Sequence, residues 1–158
     1  MIEIKDIEEL KRAGKYHKLI EKLKEALFHQ TEREKGDLYH HLAQCHDALG
    51  YEEEAVRYYR QALDCGVREE LKKDTYVCLA SSYHVLGLHE RALDTANKGL
   101  REFPTYSPLS IFKSLILFSN KKEGDALKTV LQDLLSTTSD PDVKKYERAL
   151  LYYSNQLT

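Results

Sequence analysis

Gly50-Tyr51-Glu52-Glu53-Glu54-Ala55 and Gly87-Leu88-His89-Glu90-Arg91-Ala92 each place a glycine five residues before an alanine, with charged residues between. A glycine that ends one helix, followed by charges and a small apolar residue, marks a chain that turns and starts a second helix at once. Gly14-Lys15-Tyr16 gives the same turn upstream, and Lys121-Lys122-Glu123-Gly124-Asp125-Ala126 keeps the alanine but moves the glycine. With Leu19, Ala55, Ala92 and Ala126 as equivalents, the copies lie 36, 37 and 34 residues apart. A period near ~34 belongs to a solenoid of stacked helix-turn-helix units.

The residues inside the copies sharpen this reading. One copy runs Tyr39, Leu42, Ala43, His46, then Ala55, Tyr59, Ala62; the next runs Tyr76, Leu79, Ala80, Tyr83, then Ala92, Ala96 and Pro104. Alanines let the two helices of a hairpin approach closely, and the aromatic rings fill the wedge on either side. Over residues 36–104 this pattern resembles the tetratricopeptide repeat (TPR). The resemblance implies an all-α, right-handed solenoid of helical hairpins in a single domain, 1–158. It has four hairpins, near 1–33, 36–68, 73–104 and 107–138, and a C-terminal capping helix, 140–156. In the fourth hairpin Ser110, Lys113 and Ser114 stand where an aromatic, a leucine and a small residue are expected, as terminal repeats often allow. Asp140 and Pro141 suit the N-cap and first turn of the capping helix, and Tyr146, Ala149, Leu150 and Tyr153 recur so as to bury one face. Leu100-Arg101-Glu102-Phe103-Pro104, Ile111-Phe112 and the tail Lys144 to Tyr153 are similar to small stand-alone bacterial TPR proteins. That likeness implies a fold and a bacterial origin, and no activity.

Composition sets the outer bounds. Among 158 residues, 24 Lys and Arg face 26 Asp and Glu, a net charge of -2, so no strong field favours nucleic acid or an anionic membrane. Acids and bases alternate, as in Lys22 to Glu25 and Glu69 to Lys73, which is the habit of a solvated surface. The most apolar run, Leu109 to Phe118, is interrupted by Lys113 and falls short of the ~20 residues needed to span a bilayer. Cys45, Cys65 and Cys78 lack any C-x-x-C spacing and sit in helical patterns, which suits reduced thiols. The N-terminal stretch Met1 to Asp6 has no apolar core of a secretory signal, and the expected location is the cytoplasm.

The TPR resemblance implies that first helices line a groove for a peptide or helical segment. The groove residues are then Asp37, His40, His41, Gln44 and Asp47 on one repeat and Asp74, Val77, Cys78, Ser81 and His84 on the next. A chaperone-tail carboxylate clamp is excluded, because the aligned places hold Ile4, Glu8, His41, Asp74 and Cys78 rather than cations. Ile111, Phe112, Leu115 and Phe118 form an apolar patch at helical spacing, to be covered by the C-terminal helix, a second copy or an outside partner. The expected oligomeric state is a monomer or weak homodimer. His41 and Cys45 lie one turn apart, but no H-E-x-x-H or C-x-x-C supports a metal, and no cofactor is expected. Neither G-x-S-x-G nor a phosphate loop occurs, so the expectation is a non-catalytic module bound to an unidentified protein or peptide. The alternative is a regulatory sensor in which a short peptide or small ligand alters solenoid curvature or frees the last helix. His46 is expected as a packed ring with one satisfied nitrogen.

Overall fold

A computed structural model describes residues 2–157, with the backbone alone at Glu32 and Arg33. The described residues form helices and turns, with no strand. They divide into two compact units between Gly87 and Leu88. The first unit holds α1 (Ile4–Arg12), α2 (Tyr16–Leu27), α3 (Glu32–Ala48), α4 (Glu52–Cys65) and α5 (Glu69–Val85). The second holds α6 (His89–Glu102), α7 (Ser107–Ser119), α8 (Glu123–Thr137), α9 (Pro141–Lys145) and α10 (Glu147–Ser154).

In the first unit each helix packs on the next, α2 on α3, α3 on α4 and α4 on α5, with a further contact of α3 on α5. Leu19, Leu23, Leu42, Ala43, Ala55, Tyr59, Ala62 and Ala80 are sealed from water. Each buried leucine contributes about 2 kcal/mol of transfer free energy, and the alanines bring the backbones close enough for dispersion contacts to form. Thr31 starts α3 through a reciprocal cap. Its backbone N–H and its hydroxyl both donate to the Glu34 carboxylate, at 3.1 and 2.7 Å, and these bonds hold that carboxyl below the usual range. In the second unit α6 packs on α7, α7 on α8, and α8 on α10.

The repeated turns share one geometry. Lys15 N–H bonds the Leu10 carbonyl and Gly14 N–H the Lys11 carbonyl, and Tyr51 and Gly50 do the same to His46 and Asp47. Both glycines adopt left-handed backbone, φ 67° and 76°. The fourth copy makes the same pair of bonds, Lys122 to Leu117 and Lys121 to Phe118, but with Lys121 itself at φ 58°. A Cβ in that region costs roughly 1 kcal/mol. The displaced Gly124 serves a different contact. A Cβ there would overlap the Leu157 carbonyl, so the missing side chain lets the C-terminal turn close onto the start of α8.

The C-terminal cap differs from expectation in two respects. Asp140 does cap its helix, accepting from the Asp142 N–H at 2.9 Å, but the expected single helix breaks at Tyr146 into α9 and α10. The predicted inward face is also rotated. Tyr146, Ala149 and Tyr153 are exposed, while Ser154 is buried and Leu150 and Leu151 are half-buried. Aliphatic side chains gain more from leaving water than tyrosines, whose hydroxyls would each need a partner inside. As α10 packs on α8, it leaves Ile111, Leu115 and Phe118 of α7 exposed and Phe112 half-buried. The covering of that patch by the C-terminal helix is therefore not observed.

Candidate functional site

The first unit contains an open cleft of about 510 Å³. Among the described residues it is lined by Lys11 from α1, Tyr16 from α2, Gln44, Asp47 and Ala48 from α3, Tyr59 from α4 and Cys78 from α5.

Lys11 stands in the last turn of α1. Its ammonium donates to the His41 Nδ1, 3.0 Å away, and to the Gln44 Oε1. Burial lowers the Lys11 pKa below the ordinary lysine value, against the opposing charge of Asp74. His41 must present a lone pair to that ammonium, which makes it the neutral tautomer with hydrogen on Nε2. Burial, then the Lys11 charge and that of His40, push its pKa down to about 3. Among the described residues no carboxylate lies within ion-pair distance of Lys11. Among the described residues, one of its three N–H groups has no acceptor.

The Gln44 amide continues the chain, donating from Nε2 to Asp74 Oδ2 at 2.9 Å. Asp74 also faces His40 Nε2 at 3.4 Å. The other ring nitrogen of His40 lies 2.8 Å from the Thr75 hydroxyl, which gives its own proton to the Leu71 carbonyl at 2.7 Å. The hydroxyl can then only accept, so His40 Nδ1 is a donor. His40 is 1% exposed and ties α3 to α5 from inside. The approach of the His40 ring holds the Asp74 carboxyl below the usual range, against burial and aided by the charge of Lys11.

Across the cleft, Tyr59 donates to Asp47 Oδ2 at 3.1 Å. Burial, reinforced by Cys78 and Asp47, raises the pKa of that phenol, so it stays protonated and donates. Ser82 lies 3.4 Å from Asp47 Oδ1 but is closer, 3.0 Å, to the Cys78 carbonyl, which takes its proton. Burial, followed by a hydrogen bond to Asp47 and its charge, pushes Glu52 well above the carboxylate range. The cleft thus offers one cation and one carboxylate that, among the described residues, have no opposite charge within ion-pair distance.

The thiols near this site are not activated as nucleophiles. Burial and then the Asp74 charge push the Cys78 thiol up to about 12, and burial pushes Cys45 up to about 11. Both stay thiols at neutral pH, and the thiolate is the reactive form. Among the described residues no three His, Cys, Asp or Glu side chains converge as a metal site, and no helix is long and apolar enough to cross a membrane.

The ten expected groove residues separate accordingly. Gln44, Asp47 and Cys78 line the cleft, and Asp74 joins it through Gln44. His40 and His41 are buried and serve as internal ties rather than as a solvated wall, and Val77 is buried as well. Asp37 is tied to Arg68, accepting its backbone N–H at 3.1 Å and its Nε at 2.9 Å, which fastens the start of α5 to the start of α3. Ser81 and His84 are half-buried on α5, outside the lining. His46 stacks on Tyr58, centroids 5.2 Å apart, and among the described residues neither of its ring nitrogens has a hydrogen-bond partner, one fewer than expected. Burial, ahead of neighbouring charges, lowers its pKa, which favours the neutral ring.

Lys11 is the residue that alignment by hydrophobic pattern misses. A register signal does find it: Lys11, Asp47 and His84 each stand three residues before a turn glycine. The Tetratrico peptide repeat family matches residues 37–157. No curated protein matches the chain. Repeats of this family generally mediate protein–protein interaction as non-enzymatic scaffolds, and the match takes in α4 through α10 together with most of α3. The chain belongs to the tetratricopeptide repeat family.

Proposed function

We propose that this protein is a non-catalytic interaction module whose α1/α3/α5 cleft receives a polar peptide segment of a partner protein. The carrying observation is that Lys11 and Asp47 line one open cleft, and that among the described residues neither has an opposite charge within ion-pair distance. A peptide supplies both complements. A side-chain or terminal carboxylate meets the free Lys11 N–H, and a backbone amide or basic side chain meets Asp47. The network from Lys11 through Gln44 to Asp74 and His40 holds these groups in place before binding, which reduces the ordering cost at the interface.

The test captures partners on tagged wild type, on Lys11→Met with Asp47→Asn, and on Arg57→Ala, an exposed position of α4. A protein held by wild type and Arg57→Ala but released by the cleft variant is the expected result. Equal retention by all three would place binding elsewhere.

A further inference from the structure

The C-terminal helices carry an open depression of about 380 Å³, lined by Lys145, Tyr146, Arg148, Ala149, Tyr152 and Tyr153. All six belong to the second unit, so the feature is independent of the cleft at Lys11. On α10, Arg148 and Tyr152 are four residues apart, as are Ala149 and Tyr153, so these four share one side of the helix. Lys145 and Tyr146 stand at the break between α9 and α10, one turn earlier, and join the same lining. The fold buries Ser154 and half-buries Leu150 and Leu151, and leaves the tyrosines out. Tyr146, Tyr152 and Tyr153 are 59, 63 and 67% exposed, so most of each ring is open to a ligand, and the short side chain of Ala149 keeps the space between them clear.

Charge selects the occupant. The lining holds two cations and no carboxylate, and Glu147, between them in sequence, lies outside it. Among the described residues neither Lys145 nor Arg148 has a carboxylate within ion-pair distance. Their complement is an anion, and the planar fork of an arginine suits a carboxylate bidentately. The rings are partly preset. The Lys145 ammonium lies 5.6 Å from the centroid of Tyr146, and Tyr152 and Tyr153 meet edge to face with centroids 5.5 Å apart. Tyrosine and arginine carry much of the binding energy at protein interfaces, and a tyrosine offers large amphipathic area at low ordering cost. A nucleic-acid strand or an anionic membrane calls instead for an excess of cations along an extended surface. Within residues 140–153 but outside the lining, Asp140, Asp142 and Glu147 outnumber Lys144, so no such excess exists.

We propose that this depression binds an acidic segment of a partner protein in which a carboxylate side chain neighbours an aromatic or aliphatic one. The carboxylate pairs with Arg148 and Lys145, and the apolar neighbour packs against Tyr146, Tyr152 and Tyr153.

Selection of random phage-displayed peptides on the immobilised full chain tests this, each selected peptide then being synthesised and its affinity measured. Peptides that Lys11→Met with Asp47→Asn still holds are independent of the cleft in the first unit. Among these, aspartate or glutamate beside an aromatic or aliphatic residue is expected to be enriched. Lys145→Met with Arg148→Met weakens them more than about tenfold, because two charge-assisted bonds are lost. Tyr152→Ser with Tyr153→Ser weakens them by a similar factor through loss of the rings. All four side chains are exposed, so both variants keep the wild-type melting curve, and Arg148→Gln alone gives the reading should either melt early. Peptides without the acidic bias overturn the proposal, and so do acidic peptides that the Lys145→Met, Arg148→Met variant binds undiminished. An empty selection overturns it too, as does binding of a uridine oligonucleotide or of phosphatidylserine vesicles that this same variant abolishes.

Discussion

Helices α3 and α7 invert each other. The first buries two histidines and commits them to hydrogen bonds, while the second leaves an isoleucine, a leucine and a phenylalanine in water. In α3 the polar groups find partners on α1 and α5, so their burial is compensated, and the resulting network stiffens the cleft. In α7 the stripe stays about half open to water, although the helix packs on α6 and α8. Side-chain polarity alone would have reversed the burial of these residues. What decides burial is whether a neighbour supplies the matching chemistry.

The largest expected effect follows from acid. His41 titrates near 3 in the folded protein, against about 6.5 when unfolded. The unfolded chain therefore takes up the proton first. The contribution is fully present above pH 6.5 and is lost as pH falls toward 3, on the order of 4 kcal/mol in all. Asp74, whose folded pKa is also lowered, adds loss of the same sign in the carboxylate range. Chemical denaturation of wild type and His41→Gln at pH 7 and pH 4 checks this, since the glutamine can accept from Lys11 without titrating. An unchanged pH dependence in His41→Gln would remove His41 from the account.

Next comes a direct contest between the two helices. His40→Ala is expected to cost about 3 kcal/mol, because it opens a cavity and leaves Thr75 and Asp74 short of a partner. Ile111→Ser should change the stability of the single chain by less than about 0.5 kcal/mol. Equal losses would erase the contrast. The turns give effects smaller than that of His40→Ala and of opposite sign to each other. Lys121→Gly should stabilise by about 1 kcal/mol by relieving the left-handed lysine, whereas Gly50→Ala should destabilise by a similar amount. Thermal melts of the two variants in opposite directions are the expected outcome.

Much of the fold was legible because its determinants are local. Turn glycines, the alanines at 55 and 92 and the aromatic wedges read directly as hairpins, and Asp140 read as a cap. The Tyr146 break was not legible, since a helix with tyrosines on one side and aliphatics on the next can bury either until its neighbour is known. The lining of the candidate cleft was legible at Gln44, Asp47 and Cys78, with Asp74 joined through Gln44, since the repeat register places all four on first helices. His40 and His41 were misplaced because polar residues were equated with solvated ones, and only Thr75, Asp74 and Lys11 make their burial tolerable. Lys11 itself lies in α1, outside the residues 36–104 where the pattern is strong, so its role depended on a contact spanning thirty residues.

The central claim is that the cleft beside Lys11 is where a partner protein sits. Its most direct measurement replaces Ala48, exposed at the rim of that cleft, with a photo-crosslinking amino acid, and compares it with the same replacement at Arg57 on α4. Illumination in source cells should yield an adduct with a second protein from position 48 and none from position 57. An adduct from 57 alone, or the same adduct from both, would contradict the claim.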